Sequence, residues 1–396
     1  MKTGKDIVCI TMTTWEGDYM KTIVHMMTHL AKNHRVLFVD YPFTVKDVAS
    51  TILGKSNAPV KRMLGINNRL RTLEANENDV YHLTLPPILP INWMNDEVSY
   101  QRINELQSTI IRNSIVKAMN TLEFHDPIVI NAFNPIIGLP LARKLNESKL
   151  IYYCYDEIRA AQWCGKHGGQ MEDQFLRLVD EVIVTSEGLL ESKTKNHSSV
   201  SLVKNGVDFS LFHEAYHPQM KPRKTIGYVG SVDFRLDYQL LEHLAESFPE
   251  YDFHFVGRIT EAKQAKMLDK YPNIQFFGAQ QPHDITGFMR EFDLGIIPFA
   301  TNDFTRNIYP LKINEYLSAG LPVISTDFAD LKDFESLVSI ATSTEEFQAL
   351  MQMELESNST QKEQLRIAAA KQNDWSSRAE LVELILNKDE PLAQQA

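Results

Sequence analysis

The segment Asn307-Ile-Tyr309-Pro310-Leu311-Lys312-Ile-Asn-Glu315 sets a proline, a lysine and a carboxylate close together, then runs into Tyr-Leu-Ser-Ala-Gly320-Leu-Pro-Val-Ile-Ser325. Proline suits the opening turn of a helix, where the N–H it lacks would have no partner. The spacing predicts a helix over about Leu311 to Ala319, stopped by Gly320, and then a buried strand from Pro322 to Ser325. The free N–H groups and dipole of such a helix start hold anions, and a diphosphate fits that chemistry. Glu315, one turn in, can accept hydrogen bonds from both hydroxyls of a ribose. Taken alone it reads equally well as a solvated carboxylate favoured by the dipole; the whole segment favours a nucleotide site.

These residues need elements to position them, and two alternating series supply them. The first opens with a strand from Asp6 to Thr11, a loop from Thr13 to Asp18, a helix with Met20, Ile23, Met27 and Leu30 on one face, and a strand from Arg35 to Asp40. Short apolar runs follow at Pro127 to Ile130, Leu150 to Tyr153, Glu181 to Thr185 and Ser199 to Val203. Runs apolar on both faces belong in a parallel sheet covered by helices. The stretch from Val45 to Pro90 is less regular and is expected to be an excursion of loops and helices. The second series has strands at Thr225 to Val229, Asp252 to Val256, Ile274 to Phe277, Leu294 to Ile297 and Pro322 to Ser325. A last helix near Trp375 to Leu386 presents Leu381, Leu384 and Ile385 on one face. The fold class is therefore α/β, with two Rossmann-like domains whose ligands sit beyond the carboxyl ends of the strands.

Composition narrows the function. A chain of 396 residues exceeds what one core usually supports. A formal charge of −11 has the wrong sign for holding a nucleic-acid backbone, so no nucleic acid is expected as a partner. The apolar run Ile7 to Ile10 is too short for a signal peptide or a membrane span, which places the chain in the cytoplasm. Cys9, Cys154 and Cys164 lack metal-ligand spacing and suit a reducing compartment, and the twelve histidines show no ligand spacing either. No Gly-x-Gly-x-x-Gly or Gly-Lys-Ser/Thr motif follows a strand, which disfavours a nicotinamide dehydrogenase or a P-loop NTPase.

Pro310 to Ser325, together with Val203-Lys-Asn205-Gly206-Val207-Asp208, resembles the signature of the group 1 (family four) GT-B glycosyltransferases. Tyr228-Val-Gly230-Ser231, Phe255-Val-Gly257 and Phe276-Phe-Gly278 match that family's strand ends; Trp15 and Gly17 in the first loop and Tyr155-Asp156-Glu157 look like its bacterial cell-surface polysaccharide members. The resemblance implies GT-B architecture, two Rossmann-like domains facing across a cleft. Residues 1–205 would form the acceptor side, 206–374 the donor domain, and 375–396 a helix crossing back to the first domain. It also implies a retaining, metal-independent transfer of a sugar from a nucleoside diphosphate sugar to a glycan or lipid-linked acceptor, with no cofactor, in the cytoplasm or at the inner face of the membrane. By the same resemblance Arg235, Asn307 and Glu315 are catalytic. Gly230, Ser231, Gly257, Arg258, Gly278, Arg306, Tyr309, Pro310, Leu311 and Lys312 join Glu315 around the donor. Trp15, Gly17, Asn134 and Asp156 lie on the acceptor side.

The sequence departs from the family in three places. Asn307 stands where the first of two glutamates is usual, Ser231 replaces a diphosphate-binding arginine, and Phe133 replaces a histidine on the acceptor side. These departures keep two other readings open, a GT-B sugar-nucleotide 2-epimerase and a degenerate GT-B binding protein. Single residues also have plainer readings. Trp15 could stack on a sugar or close the sheet edge, Asp156 and Glu157 could cap a helix, and Asn205-Gly206 reads as a turn needing a left-handed residue.

Overall fold

The computed structural model of the protein describes residues 4–16, 21–75, 78–160, 165–217 and 224–388. The chain divides into two compact units, one holding Lys21–Val203 with the residues before 17 and those from Ala379 on, the other Lys204–Arg378. Proteolysis is expected to begin within His213 to Lys224, of which 218–223 lie outside the described residues, as do Gly17, Met20 and Cys164.

The first unit carries β1 (Asp6–Thr11), β2 (Arg35–Val39), β3 (Leu70–Ala75), β4 (Asn78–Leu83), β5 (Ile128–Ala132), β6 (Lys149–Cys154), β7 (Glu181–Val184) and β8 (Val200–Leu202). They form one sheet in the order β3-β4-β2-β1-β5-β6-β7-β8. Only the β3–β4 pair is antiparallel. Between Val45 and Pro90 the expected helices are present, Val45–Ile52 and Val60–Met63, and this hairpin, which was not expected, is added to them. β5 and β6 are buried along their whole length, which is why they read as continuous apolar runs. Cys9 and Cys154 lie fully buried within β1 and β6, and burial pushes both thiols far above the usual range.

The second unit carries β9 (Thr225–Val229), β10 (Asp252–Val256), β11 (Ile274–Gly278), β12 (Leu294–Ile297), β13 (Val323–Thr326) and β14 (Ser339–Ala341). Their order is β11-β10-β9-β12-β13-β14, all parallel. Counted within the unit this is the doubly wound order 3-2-1-4-5-6, whose switch point lies between β9 and β12. Topology alone thus points to the loops after Val229 and Ile297.

The helix Trp375–Leu386 is present, but its buried face is Ala379, Val382, Ile385 and Leu386, while Leu381 and Leu384 are exposed. The apolar stripe is out of phase with the one expected. From Ala379 the chain packs in the first unit: Glu383 pairs with His34 at 2.7 Å, and Lys149 Nζ donates to the Ile385 carbonyl at 2.9 Å.

Candidate donor site

At the carboxyl ends of three adjacent strands of the second unit stands a glycine: Gly230 directly after β9, Gly257 directly after β10, and Gly278 as the last residue of β11. The Gly230 N–H donates to Val256 O and the Gly257 N–H to Gly278 O, both at 2.8 Å, so the strand ends are bonded side by side. Gly257 has φ +154, and a Cβ there would fall 2.0 Å from the Gly230 carbonyl oxygen. Gly230, with φ +140, leaves its own missing side chain's place to Lys312: a Cβ would meet Lys312 Cε at 2.2 Å and Nζ at 2.6 Å. The two glycines therefore let strand ends and a lysine approach closer than any side chain allows.

Lys312 and Glu315 belong to the helix Leu311–Ser318, with Pro310 at its N-cap position. Tyr316 fixes this helix to β9, its hydroxyl accepting from the Val229 N–H at 2.7 Å. Leu321 N donates to Tyr316 O and Gly320 N to Leu317 O, and Gly320 sits at φ +70, so the expected glycine stop is a left-handed cap. The Leu311 and Lys312 N–H groups have no hydrogen-bond partner among the described residues. They are the free donors of a helix start.

Lys312 Nζ lies 5.7 Å from the Tyr228 ring centre and 5.9 Å from that of Phe299, and makes no hydrogen bond or ion pair among the described residues. Burial and the nearby Arg235 push its pKa down to about 8, against the pull of Glu315 and Asp233. Burial raises the Glu315 carboxyl, opposed by the Lys312 charge. The Glu315 carboxylate also has no hydrogen-bond partner among the described residues. Both groups are densely surrounded by protein yet reach water. An ammonium and a carboxylate held this way are open to a ligand with complementary groups.

Arg235 is engaged. Its guanidinium makes bonds of 2.9, 3.1 and 2.6 Å to the Asp233 carboxylate and lies 5.5 Å from the Phe299 ring centre. Asp233 offsets part of its charge, which leaves Lys312 the less compensated cation of the site. Asp233 and Phe299 escaped the sequence reading, and Tyr228 entered it only as the start of a strand-end match.

Other expected donor residues sit differently. Tyr309 points into the core, 5.6 Å ring to ring from Phe334, with its hydroxyl accepting from Asn314 at 3.3 Å, so only its backbone can serve a donor. Asn307 lies in a 3-10 turn and donates its amide to the Asp303 carbonyl at 2.8 Å. Arg306 is exposed and faces Asp303 at 3.8 Å. Arg258 is exposed, its carbonyl accepting from Val232. Ser231 is half-buried, its carbonyl accepting from the Tyr228 hydroxyl. At Gly278 the space around a Cβ is open. Gly206 is not left-handed; a Cβ there would lie 2.8 Å from the Trp375 ring, and this contact is what requires glycine.

In the first unit the switch point lies between β1 and β5. Trp15 follows β1, its N–H bonded to Asp40 and its ring edge-on to the buried Phe38 at 4.9 Å. Asp40 Oδ2 lies 2.8 Å from His82 Nε2, and His82 Nδ1 accepts from Arg71 Nε at 3.0 Å. Glu16 pairs with Arg62 and Arg71. Burial raises its carboxyl, but those two guanidiniums outweigh burial and lower it to about 2. Residues 15, 16, 40, 62, 71 and 82 thus clamp the loop after β1, a network no local motif announces.

Asn134 is fully committed: its amide donates to Thr11 O, its oxygen caps the helix Pro135–Leu141 through Ile137 N, and its backbone exchanges bonds with Asn131. This structural role replaces the expected direct part on the acceptor side. Phe133 is buried at φ +54 against Tyr155. Glu157 joins Lys193, which also pairs with the buried Glu172 at 2.8 Å. Asp156 accepts from the Glu157 N–H. Beside Asn134 lies an apolar cavity of about 270 Å³ whose lining includes Ile88, Leu89, Ile91, Trp93, Ile136 and Ile137. Among the described residues no group of three or more His, Cys, Asp or Glu could hold a metal, and no helix is long and apolar enough to cross a membrane.

The fold and this site define a chain that resembles the group 1 glycosyltransferases of GT-B architecture. Residues 223–352, which include the donor-side cluster, match the family described as Glycosyl transferases group 1. TuaH of Bacillus subtilis, named as a teichuronic acid biosynthesis glycosyltransferase, is 24% identical over 214 residues, 48% of this chain and 53% of that one. The match thus spans about half the length of that relative. A sucrose-phosphate synthase from Thermosynechococcus elongatus superposes with a TM-score of 0.70 at 12% identity, over 97% of this chain and 99% of the other. Anabaena HepE, solved with UDP and glucose, gives 0.65 at 14% identity over 97% and 100%. At these identities the likeness is one of fold.

Proposed function

We propose that the protein transfers a sugar from a nucleoside diphosphate sugar to a glycan or lipid-linked acceptor, with retention at the anomeric carbon and without a metal or other cofactor. The observation that carries this reading is the pair Lys312 and Glu315, neither with a side-chain hydrogen bond or ion pair among the described residues, on one helix at the switch point of the unit that matches group 1 glycosyltransferases. Glu315 accepts from the ribose hydroxyls. The free N–H groups of Leu311 and Lys312, with the Lys312 ammonium, face the diphosphate, and Arg235 adds a charge held in place by Asp233. As the bond from the anomeric carbon to the diphosphate breaks, the diphosphate leaves with the electron pair, an acceptor hydroxyl oxygen bonds that carbon, and the hydroxyl's proton passes to the departing diphosphate oxygen. Fixed positive groups placed where this charge develops lower the barrier without reorganising.

The acceptor side is the clamped loop around Trp15, and the apolar cavity beside Asn134 suits the lipid part of a lipid-linked acceptor. This chemistry suits a cell-surface polysaccharide built from the cytoplasmic side of the membrane; TuaH is named for teichuronic acid biosynthesis.

A melting-temperature panel of nucleoside diphosphates with and without sugars tests the reading, since a ligand that binds only the folded state raises the melting temperature. Stabilisation followed by release of nucleoside diphosphate in the presence of acceptor supports transfer. Stabilisation without turnover would mark a binding protein, and interconversion of the sugar without an acceptor would mark an epimerase.

A further inference from the structure

Phe234 is 54% exposed, and no other phenylalanine, tyrosine or tryptophan among the described residues of the second unit stands in water to that degree. It belongs to the loop after β9, and its ring meets edge to face, at 5.2 Å, that of the half-buried Phe304 from the loop after β12. One exposed ring is ordinary, but two in contact on the loops that flank the switch point call for a ligand. The mount is rigid. Ala300 N donates to Arg235 O at 2.7 Å and Asp237 N to Pro298 O at 2.8 Å, which laces the two loops together around the bridge between Leu236 and Phe299. The Asn302 side-chain oxygen accepts from Phe304 N at 2.9 Å and from Thr305 N at 3.0 Å. Rings fixed by their backbone lose little freedom when a ligand stacks on them.

Their position names the part of the ligand they face. Arg235, next to Phe234, and Lys312 lie 5.5 and 5.9 Å from the Phe299 ring centre, which ties the pair to the diphosphate end of the site. Along the segment after β12 come first Phe304, then Asn307, then the helix start that answers the diphosphate, and last Glu315 at the ribose. The rings thus stand on the side of the diphosphate away from the ribose, where the sugar of a nucleotide sugar lies. Hydrogen bonding is sparse on that side, since Asn307 carries no charge and donates its amide to the Asp303 carbonyl at 2.8 Å.

We propose that Phe234 and Phe304 form an apolar wall that selects a donor sugar carrying a methyl group, either the C-6 methyl of a 6-deoxyhexose or the methyl of an N-acetyl group. A hexose with all its hydroxyls would press one of them against the rings and strip its water without giving it a partner. A methyl group in the same place gains from burial. This inference rests on the reading of the second unit as a nucleotide-sugar site and names the class of sugar that site takes.

The experiment is calorimetry on the full chain with UDP, dTDP, GDP and ADP, each bare and as its glucose, N-acetylglucosamine and 6-deoxyglucose derivative. For the diphosphate that binds, one methyl-bearing derivative should bind about tenfold more tightly than the glucose derivative, and which one does so identifies the source of the methyl. Phe234→Ala should erase that preference while leaving the affinity for the bare diphosphate and the melting temperature nearly unchanged. Phe234→Tyr keeps the ring face and should keep the preference. Equal affinity for all three sugar derivatives would overturn the proposal, as would a preference that survives Phe234→Ala. An equal loss of affinity for the bare diphosphate would also overturn it, by placing the rings at the nucleobase. Absence of binding by every bare diphosphate is a different result, which removes the nucleotide-sugar reading and the wall with it.

Discussion

Lys312 lies where the side chain of residue 230 would begin, its Cε 2.2 Å and its Nζ 2.6 Å from the position a Cβ there would take. Gly230→Ala must therefore displace the lysine as well as strain a backbone at φ +140. The expected cost is about 1–3 kcal/mol of stability, with a clear loss of nucleoside diphosphate affinity. Gly278→Ala is the control: its φ is also positive, at +69, but its Cβ meets nothing within 4 Å. It should lose about 1 kcal/mol from left-handed strain and keep its affinity. Equal affinity in the two variants, measured by calorimetry, would remove Lys312 from the phosphate site.

Glu315→Gln tests the ribose contact. Glutamine keeps one accepting oxygen, so about one of the two charge-assisted bonds, worth roughly 1.5–3 kcal/mol, is lost and binding should weaken by about one to two orders of magnitude. Stability should hold or rise. The fold raises the Glu315 pKa, so its ionised form costs stability at neutral pH, and glutamine removes that cost while keeping helix propensity. A solvated helix carboxylate would show the opposite pattern, a small stability loss and unchanged affinity.

Lys312 gives a pH signature. Its folded pKa, about 8, lies below its ordinary 10.5. Between those values the unfolded chain binds more protons than the folded one, so the penalty is full below pH 8 and is relieved as pH rises toward 10.5. Lys312→Met should raise the melting temperature at pH 7, and the gain should shrink across that window. Nucleoside diphosphate affinity of the unmodified chain should fall as pH passes 8, and that of the variant should be weaker and flat. A flat profile in the unmodified protein would contradict the assignment.

Transfer is expected to survive excess EDTA, because the helix N–H groups, Lys312 and Arg235 answer the diphosphate charge without a cation. Activity that disappears with EDTA and returns with magnesium or manganese would refute metal independence.

The strands of the second unit were legible because Thr225–Val229, Asp252–Val256 and Leu294–Ile297 are short, bounded and apolar. Glu315 was legible for a similar reason, since proline, carboxylate and glycine stop lie on one continuous segment. The hairpin Leu70–Leu83 was not, because charged residues such as Arg71, Glu74 and Asp79 interrupt its apolar pattern. The clamp of Asp40, His82, Arg71 and Glu16 was invisible for a deeper reason: its members come from separate elements and meet only when β2 pairs with β4. Arg235 was found, but the carboxylate that offsets it was not, because a one-residue spacing carries no periodic signal.

All the cysteines of the chain lie before residue 204, and Cys9 and Cys154 are sealed inside the first sheet, so the second unit is free of thiols. A slow thiol reagent is consequently a stopwatch for one half of the molecule. Peptide mapping of labelled Cys9 and Cys154 would time the opening of the first sheet alone, while nucleotide binding to the second unit proceeds unlabelled. Any slowing of that clock by a nucleotide would measure, from the native chain, how strongly the two halves communicate.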